Sequence, residues 1–411
     1  MMVQNLRLSH FRNYSSLMVT FHPGVNLILG ENAQGKTNLL EALYLCAALR
    51  SFRTRKESEL IQFEAPFGYL KMNVKSSDQF HEGAQHELEM VFRPDQKKRV
   101  KRNGLSQTRM SDVMGTFKAV LFSPEDLKIV KDSPSERRQF MDSEMIQVSP
   151  RYYYHLINYQ KIVKQRNQLL KKTNPREEEM MVWDLQMAEF AARLMMQRHA
   201  FLMEIGELAA VIHQRLTDEK ENLKIHYEEG IHLKNHWYQE KEEALVEMIL
   251  HGLKKNRQHD LFRQNTGKGP HRDDLSFTIN RMDVRQYGSQ GQKRTVVLSL
   301  KLAVLEWMRK MAGEYPVLLL DDVTSELDDK RQRDLLEYLK PVQTIITSTH
   351  SLPGLGEDEE RGVIFRVHDG KIMPEKTPSL SKSLEKGYNK EWAKSVLICI
   401  KELTIETCIF I

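Results

Sequence analysis

The amino-acid sequence predicts an α/β fold: one layered domain whose two halves are separated by a helical insertion. Three observations point there. Alternating strand-like runs at 3–8, 17–21 and 25–29 are followed at once by a helical pattern over 36–49. From residue 150 to about 253 the texture becomes proline-poor and rich in Leu, Met, Gln, Lys and Glu at helical spacing. After Gly267 strand and loop texture returns, with buried-strand runs at 317–320 and 344–347. An α/β layer interrupted by a helical lobe accounts for that order.

Each element follows from its own residues. A hairpin is expected over 86–109 with Asn103-Gly104 as its two-residue turn, because that pair tolerates the positive φ a type I′ turn demands. Residues 119–122 read as a further strand. In the lobe, one helix spans 152–171, Thr173-Asn174-Pro175 breaks it, and a second spans 177–204. Beyond it come a strand at 275–279, a helix over 292–310 and a helix near 330–339. The expected organisation is therefore 1–149 as the first part of a head with a β-rich subdomain, 150–258 as a helical lobe with a short arm, 259–370 as the second part of the head, and 371–411 as a tail with no assigned role.

Composition narrows the classes. With 411 residues, 40% hydrophobic and 28% charged, the chain has the balance of a soluble globular protein of two or three lobes. No window approaches the ~18 apolar residues of a membrane span, since 395–411 is interrupted by Lys401, Glu402 and Glu406. Residues 1–11 alternate as a strand does and lack the parts of a secretory signal. Three scattered cysteines, Cys46, Cys399 and Cys408, fit neither a disulfide framework nor a zinc site, so a cytoplasmic location is expected. A net charge of +5 is mild support for an anionic partner.

The chemistry gathers at both ends of the chain. Gly30, Glu31, Asn32, Ala33, Gln34, Gly35, Lys36 and Thr37 match G-x-x-x-x-G-K-[ST] between a strand and a helix. Glycines let backbone N–H groups wrap phosphates, the helix N-terminus adds positive potential, Lys36 reaches the terminal phosphates, and the Thr37 hydroxyl can ligate Mg²⁺. The apolar run 317–320 ends in Asp321 and Asp322; the first is expected near Mg²⁺ and the second could polarise an attacking water. Ser289, Gln290, Gly291 and Gln292 directly precede a long helix, where Ser289 could equally be a plain helix cap. Ser325, Glu326, Leu327 and Asp328 follow the carboxylate pair, and His350 lies just past the strand at 344–347, where an ordinary loop histidine is the alternative reading.

In this order these elements resemble the head of an ABC-type P-loop ATPase of the SMC/RecF branch. The stretches 26–42, 122–127, Arg137-Arg138 with Phe140 and Asp142, 269–275 and 288–292 resemble the RecF family of recombination proteins over roughly residues 1–370. The resemblance implies that residues 30–37 bind ATP in cis, that 289–292 are a signature touching the γ-phosphate held by the other subunit of an ATP-dependent homodimer, that 325–328 link the two sites, and that His350 senses the γ-phosphate. It further implies a DNA-linked ATP hydrolase of replication and recombinational repair that binds gapped or single-strand-containing DNA, with RecR and RecO as partners in loading RecA recombinase. Two departures stand out: Asp132 occupies a position where the family usually has glycine, and 374–411 match nothing in it.

For DNA itself, Lys97, Lys98, Arg99, Lys101 and Arg102 crowd one expected hairpin turn, suited to phosphates rather than bases, or else to a solvated edge strand. Lys161, Lys164, Arg166, Lys171 and Lys172 could form a second basic face on the lobe. The rival readings are a transporter's nucleotide-binding subunit, a monomeric P-loop kinase, and a DNA clamp that binds ATP without useful hydrolysis.

Overall fold

A computed structural model describes residues 1–78, 81–173, 175–322, 341–351 and 362–374. The chain opens with β1 (Met2–Phe11), β2 (Tyr14–Thr20) and β3 (Val25–Leu29), then α1 (Lys36–Ala48). β4 (Gly68–Asp78), β5 (His81–Phe92), β6 (Arg99–Arg102), β7 (Leu105–Gln107) and β8 (Ala119–Phe122) follow, with α2 (Lys128–Lys131) and α3 (Pro134–Val148). The insertion holds α4 (Pro150–Leu170), α5 (Glu177–Leu216), β9 (Leu223–Glu228) and α6 (Glu242–Arg263). The return carries β10 (Asp274–Ile279), β11 (Met282–Asp283), α7 (Val284–Tyr287), α8 (Gln290–Ala312), β12 (Val317–Asp321), β13 (Thr344–Ser348), β14 (Gly362–His368) and β15 (Lys371–Pro374).

These strands form three sheets. An antiparallel sheet runs β2-β1-β4-β5-β6-β7, and a small one runs β11-β10-β9. The third runs β15-β14-β3-β13-β12-β8 and is parallel apart from β15. Strands β3, β8, β12 and β13 are buried along their whole length, the pattern of a parallel sheet covered on both faces. α1 packs against β8, β12 and β13 on one side and β4 on the other, and its uninterrupted run of buried residues from Leu39 to Ala48 reflects that position between layers. The Gln343 side chain ties the halves together: its Oε1 accepts from Val3 N (2.7 Å) and its Nε2 donates to Val3 O and His22 O (2.9 Å each).

The structure refines the expected elements. Asn103 and Gly104 join β6 to β7 with φ of 50° and 76°, the positive pair a type I′ turn requires. The second lobe helix runs to Leu216 rather than stopping at 204, because Ile205 and Ala209 continue its buried stripe and outweigh the cost of Gly206, about 1 kcal/mol relative to alanine. The 150–258 segment is not purely helical, since β9 pairs antiparallel with β10, and α6 runs on to Arg263. Nor does the head stop at 370: Lys371–Pro374 is an edge strand hydrogen-bonded to β14. The helix expected near 330–339 and the tail beyond 374 lie outside the described residues. No described helix is long and apolar enough to cross a membrane.

One cluster organises the lobe. Arg166 on α4 is fully buried and bonds Asp184 of α5 and Asp260 of α6 (2.7 Å each) and Thr266 (2.9 Å), while Arg257 bonds the other Asp184 oxygen (2.7 Å). Arg166 therefore leaves the proposed basic face, its charge spent on holding three helices together. Lys161, Lys164, Lys171 and Lys172 remain exposed.

Candidate nucleotide site and its neighbours

The ends of three adjacent parallel strands converge. β3 ends at Leu29, opposite Ser348 of β13, and Thr347 of β13 lies opposite Asp321 of β12. Gly30 then leads into the loop, where any side chain would press its Cβ to 2.7 Å from Val367 O. Gly35 ends the loop at φ 109°, left-handed and hemmed in by the Asn13 amide 2.5 Å from where a Cβ would sit. α1 starts at Lys36 with no acidic residue in its first turn, so its positive end is not offset locally.

Lys36 Nζ turns back across the loop and donates to Gly30 O (2.6 Å) and Glu31 O (2.8 Å). Thr37 Oγ1 donates to Asp321 Oδ1 (2.9 Å), a bond spanning 284 residues, and Thr347 Oγ1 donates to the same oxygen (2.8 Å). Burial, reinforced by Asp322, raises the Asp321 pKa above the ordinary carboxylate value, while the two hydroxyls pull it down. Burial lowers the Lys36 pKa, against the pull of Asp322 and Asp321. Asp322 follows at φ 52°, its N–H donating to Thr347 O (3.2 Å) and Oγ1 (3.1 Å). His350 is exposed two residues beyond β13, its Nδ1 2.8 Å from Thr349 Oγ1.

Residues 30–37, 321, 322 and 350 thus follow the C-terminal ends of three neighbouring interior strands. Ser289–Gln292 do not join them within the chain. They begin α8 as a capping box, Ser289 Oγ accepting from Gln292 N (3.1 Å) and Gln292 Oε1 from Ser289 N (2.9 Å), with 289–291 exposed. Ser325, Glu326, Leu327 and Asp328 lie outside the described residues.

Sequence reasoning missed Thr347, whose signal was a hydroxyl set directly after the apolar pair Ile345-Ile346 in a buried strand. It also missed Asn13, which donates to Gln34 O (3.0 Å) and accepts from Asn38 Nδ2 (2.8 Å), and Asp369, whose N–H donates to Gln34 Oε1 (2.7 Å). Loop positions such as these carry no periodicity to betray them.

The stretches that carry the family resemblance meet one another. Asp126 completes a capping box with Ser123 and also pairs with buried Lys301 of α8 (3.1 Å), which reaches Glu144 of α3 as well (3.2 Å). Arg137 holds Asp274 through two bonds (2.5 and 3.0 Å), and Arg138 donates to Asp273 O (2.6 Å). Asp273, fully buried, accepts from Arg198 (2.8 Å), Gly230 N (2.8 Å) and the Tyr227 hydroxyl, and Arg198 also reaches Asp142 (2.9 Å). Asp132 sits at φ −92°, a conformation open to any residue, and its carbonyl accepts from Arg137 (2.8 Å), so replacing glycine there strains nothing.

Of the five basic residues around the hairpin, Lys98 is paired with Glu57, Lys101 lies 3.8 Å from Glu89, and Arg102 donates to Asp112 O (3.2 Å). Lys97 and Arg99 are exposed and, with Ser106, Gln107 and Thr108, line a hollow of about 430 Å³.

Comparison with known proteins agrees with this architecture. Residues 2–370 match the RecF/RecN/SMC N-terminal domain family. The DNA replication and repair protein RecF of Alkaliphilus oremlandii is 45% identical over 374 residues, covering 90% of this chain and all of its own length. Its counterpart in Lachnoclostridium phytofermentans is 41% identical, covering 90% of this chain and 99% of its own. A solved structure of the recombination mediator protein RecF with ATP, in the RecFOR pathway, superposes with a TM-score of 0.84 at 35% identity, covering 90% of this chain and 97% of that one. With a G-x-x-x-x-G-K-[ST] loop, a strand-end carboxylate pair and likeness to RecF along nine-tenths of its length, the chain belongs to the RecF family of DNA replication and repair proteins, ATP-hydrolysing members of the RecF/RecN/SMC group.

Proposed function

We propose that this protein is an ATP-gated DNA clamp acting in the cytoplasm, in which two copies close around two shared nucleotide sites. The observation that carries this reading is the Thr37 to Asp321 bond, which puts a hydroxyl and a carboxylate, both hard oxygen donors, at the foot of the loop that ends in Lys36. Residues 30–37 hold ATP, and Thr37 and Asp321 hold Mg²⁺, which when bound offsets charge on the phosphates. Asp322 accepts a proton from the attacking water, and His350 contacts the γ-phosphate. Residues 289–291 are exposed at the start of α8, which supports the use of the 289–292 cap on the ATP of the other copy.

Closure creates the DNA-holding form, and hydrolysis releases it, so turnover is slow and times a conformational state. Lys97 and Arg99 contact backbone phosphates, with Lys98, Lys101 and Arg102 contributing less because each already has a partner. The DNA is gapped or junction-containing duplex, and RecR and RecO join the protein there to load RecA recombinase.

The test is mass by light scattering with ATP and Mg²⁺, with and without gapped duplex, for the intact protein, Lys36→Met and Ser289→Arg. ATP-dependent dimerisation of the intact protein alone, with tighter DNA retention, supports the shared sites. A mass indifferent to ATP, or normal dimerisation of the Ser289 variant, makes it a monomeric P-loop enzyme instead.

A further inference from the structure

Gln292 does more than close its own capping box. The nitrogen end of its amide, Nε2, donates to Glu221 Oε1 (2.9 Å) in the short loop between α5 and β9. The other oxygen of Glu221 accepts from Nε2 of His213 (2.9 Å), which is wholly buried on the last turn of α5. His213 Nδ1 meets Ser299 Oγ (3.1 Å), about two turns farther along α8. The four side chains make a closed bracket from the first turn of α8, through the α5 terminus, and back to α8.

The bracket is satisfied with a neutral imidazole. Nε2–H faces the carboxylate, and the Ser299 hydroxyl can turn between Nδ1 and Thr295 O (2.7 Å). Burial favours that neutral form by lowering the His213 pKa, with Glu221, the charged group facing it, pulling the other way.

An amide can present either end to a neighbour, and only one end suits the cap: Ser289 N–H requires the oxygen. Glu221 decides the matter, because a carboxylate accepts and never donates, so it takes the nitrogen end and leaves Oε1 for Ser289. Without it the single bond from Ser289 N–H is all that selects the oxygen end, and the half-turned amide, which sets two donors against each other, becomes easier to reach. We propose that Glu221, anchored by His213, is a positioning residue that fixes the Gln292 amide and so holds the 289–292 cap in the form that meets the ATP of a second copy. This rests on the shared-site reading above, with Glu221 itself touching no nucleotide.

The full chain is compared with Glu221→Ala, Glu221→Gln, Gln292→Ala and the double alanine variant, with Ser289→Arg as reference. A fluorescent ATP analogue gives the affinity of dilute monomers for nucleotide, light scattering gives the ATP-dependent dimer constant, and phosphate release gives kcat and KM. Glu221→Ala should leave monomer nucleotide affinity within about twofold, weaken the dimer about tenfold (about 1.4 kcal/mol), and lower kcat rather than raise KM. Glu221→Gln, which can still accept one bond, should lose less. The double variant should be no worse than Gln292→Ala alone. Wild-type dimerisation by Glu221→Ala while Ser289→Arg fails overturns the proposal, as do fully additive losses in the double variant or an equal loss of monomer nucleotide affinity. An intact protein that ignores ATP, or a harmless Ser289→Arg, removes the shared site and the proposal with it.

Discussion

Asp322 occupies left-handed backbone at φ 52°, where asparagine is as comfortable as aspartate. Asp322→Asn therefore removes the charge without disturbing the turn that carries it. The expected outcome is unchanged ATP affinity with phosphate release slowed by at least about a hundredfold, the range assigned to general-base loss. Rapid turnover by this variant would shift the base to another group. His271 offers a pH test of the fold. Burial pushes its pKa down to about 4, with the Tyr159 hydroxyl on Nδ1 (2.7 Å) and Nε2 facing Thr266 O (3.0 Å). The unfolded chain, with an ordinary histidine near about 6.5, binds this proton more readily than the folded one. Stability therefore falls as pH drops from about 6.5 toward 4, by up to about 1.4 kcal/mol per unit from this group. In urea titrations His271→Gln should trail the intact protein by about 1–2 kcal/mol at neutral pH, and the gap should narrow by about pH 5. An unchanged gap would mean the imidazole is not the titrating group.

Among the elements, the lobe depends on charge as much as on apolar packing. Arg166→Leu leaves Asp184 and Asp260 buried without their shared partner, although Arg257 still holds one Asp184 oxygen. A loss of about 3–5 kcal/mol in denaturant unfolding is expected, with hydrogen exchange rising first in α4 and α6. This is also the scale at which the sequence was most and least readable. Buried parallel strands such as 317–320 announce themselves as unbroken apolar runs, and Asn103-Gly104 names its own turn. β9 does carry strand alternation, Lys224, His226 and Glu228 against Leu223, Ile225 and Tyr227, but it spans only six residues inside a charged, helix-rich neighbourhood, and its pairing depends on residues about fifty positions away. The G-x-x-x-x-G-K-[ST] pattern at 30–37 was legible as a turn between strand and helix because backbone geometry dictates its glycines. The bracing by Asn13, Thr347 and Asp369 was not, since it exists only once the strand ends are brought together.

At the level of the whole molecule, the basic hairpin makes a prediction about ionic strength. If Lys97 and Arg99 each neutralise one phosphate, replacing either with alanine should flatten the salt dependence of DNA affinity by roughly 0.9 in log–log slope, alike for every sequence. Lys98→Ala, already committed to Glu57, should change it less. Titrations of duplexes of differing sequence over a range of salt separate these outcomes from base-specific recognition.

The position of β3 also governs how the chain must be made. Its hydrogen-bonding neighbours, β13 and β14, begin at Thr344 and Gly362. At a ribosomal pace of about 5–20 residues per second, roughly fifteen seconds to a minute separates the emergence of Val25–Leu29 from that of either partner. For that interval a strand that is apolar except for Asn26 waits with both edges open, while the antiparallel hairpin before it has long been free to fold. The central sheet of this topology therefore completes only after nearly the whole head has been synthesised.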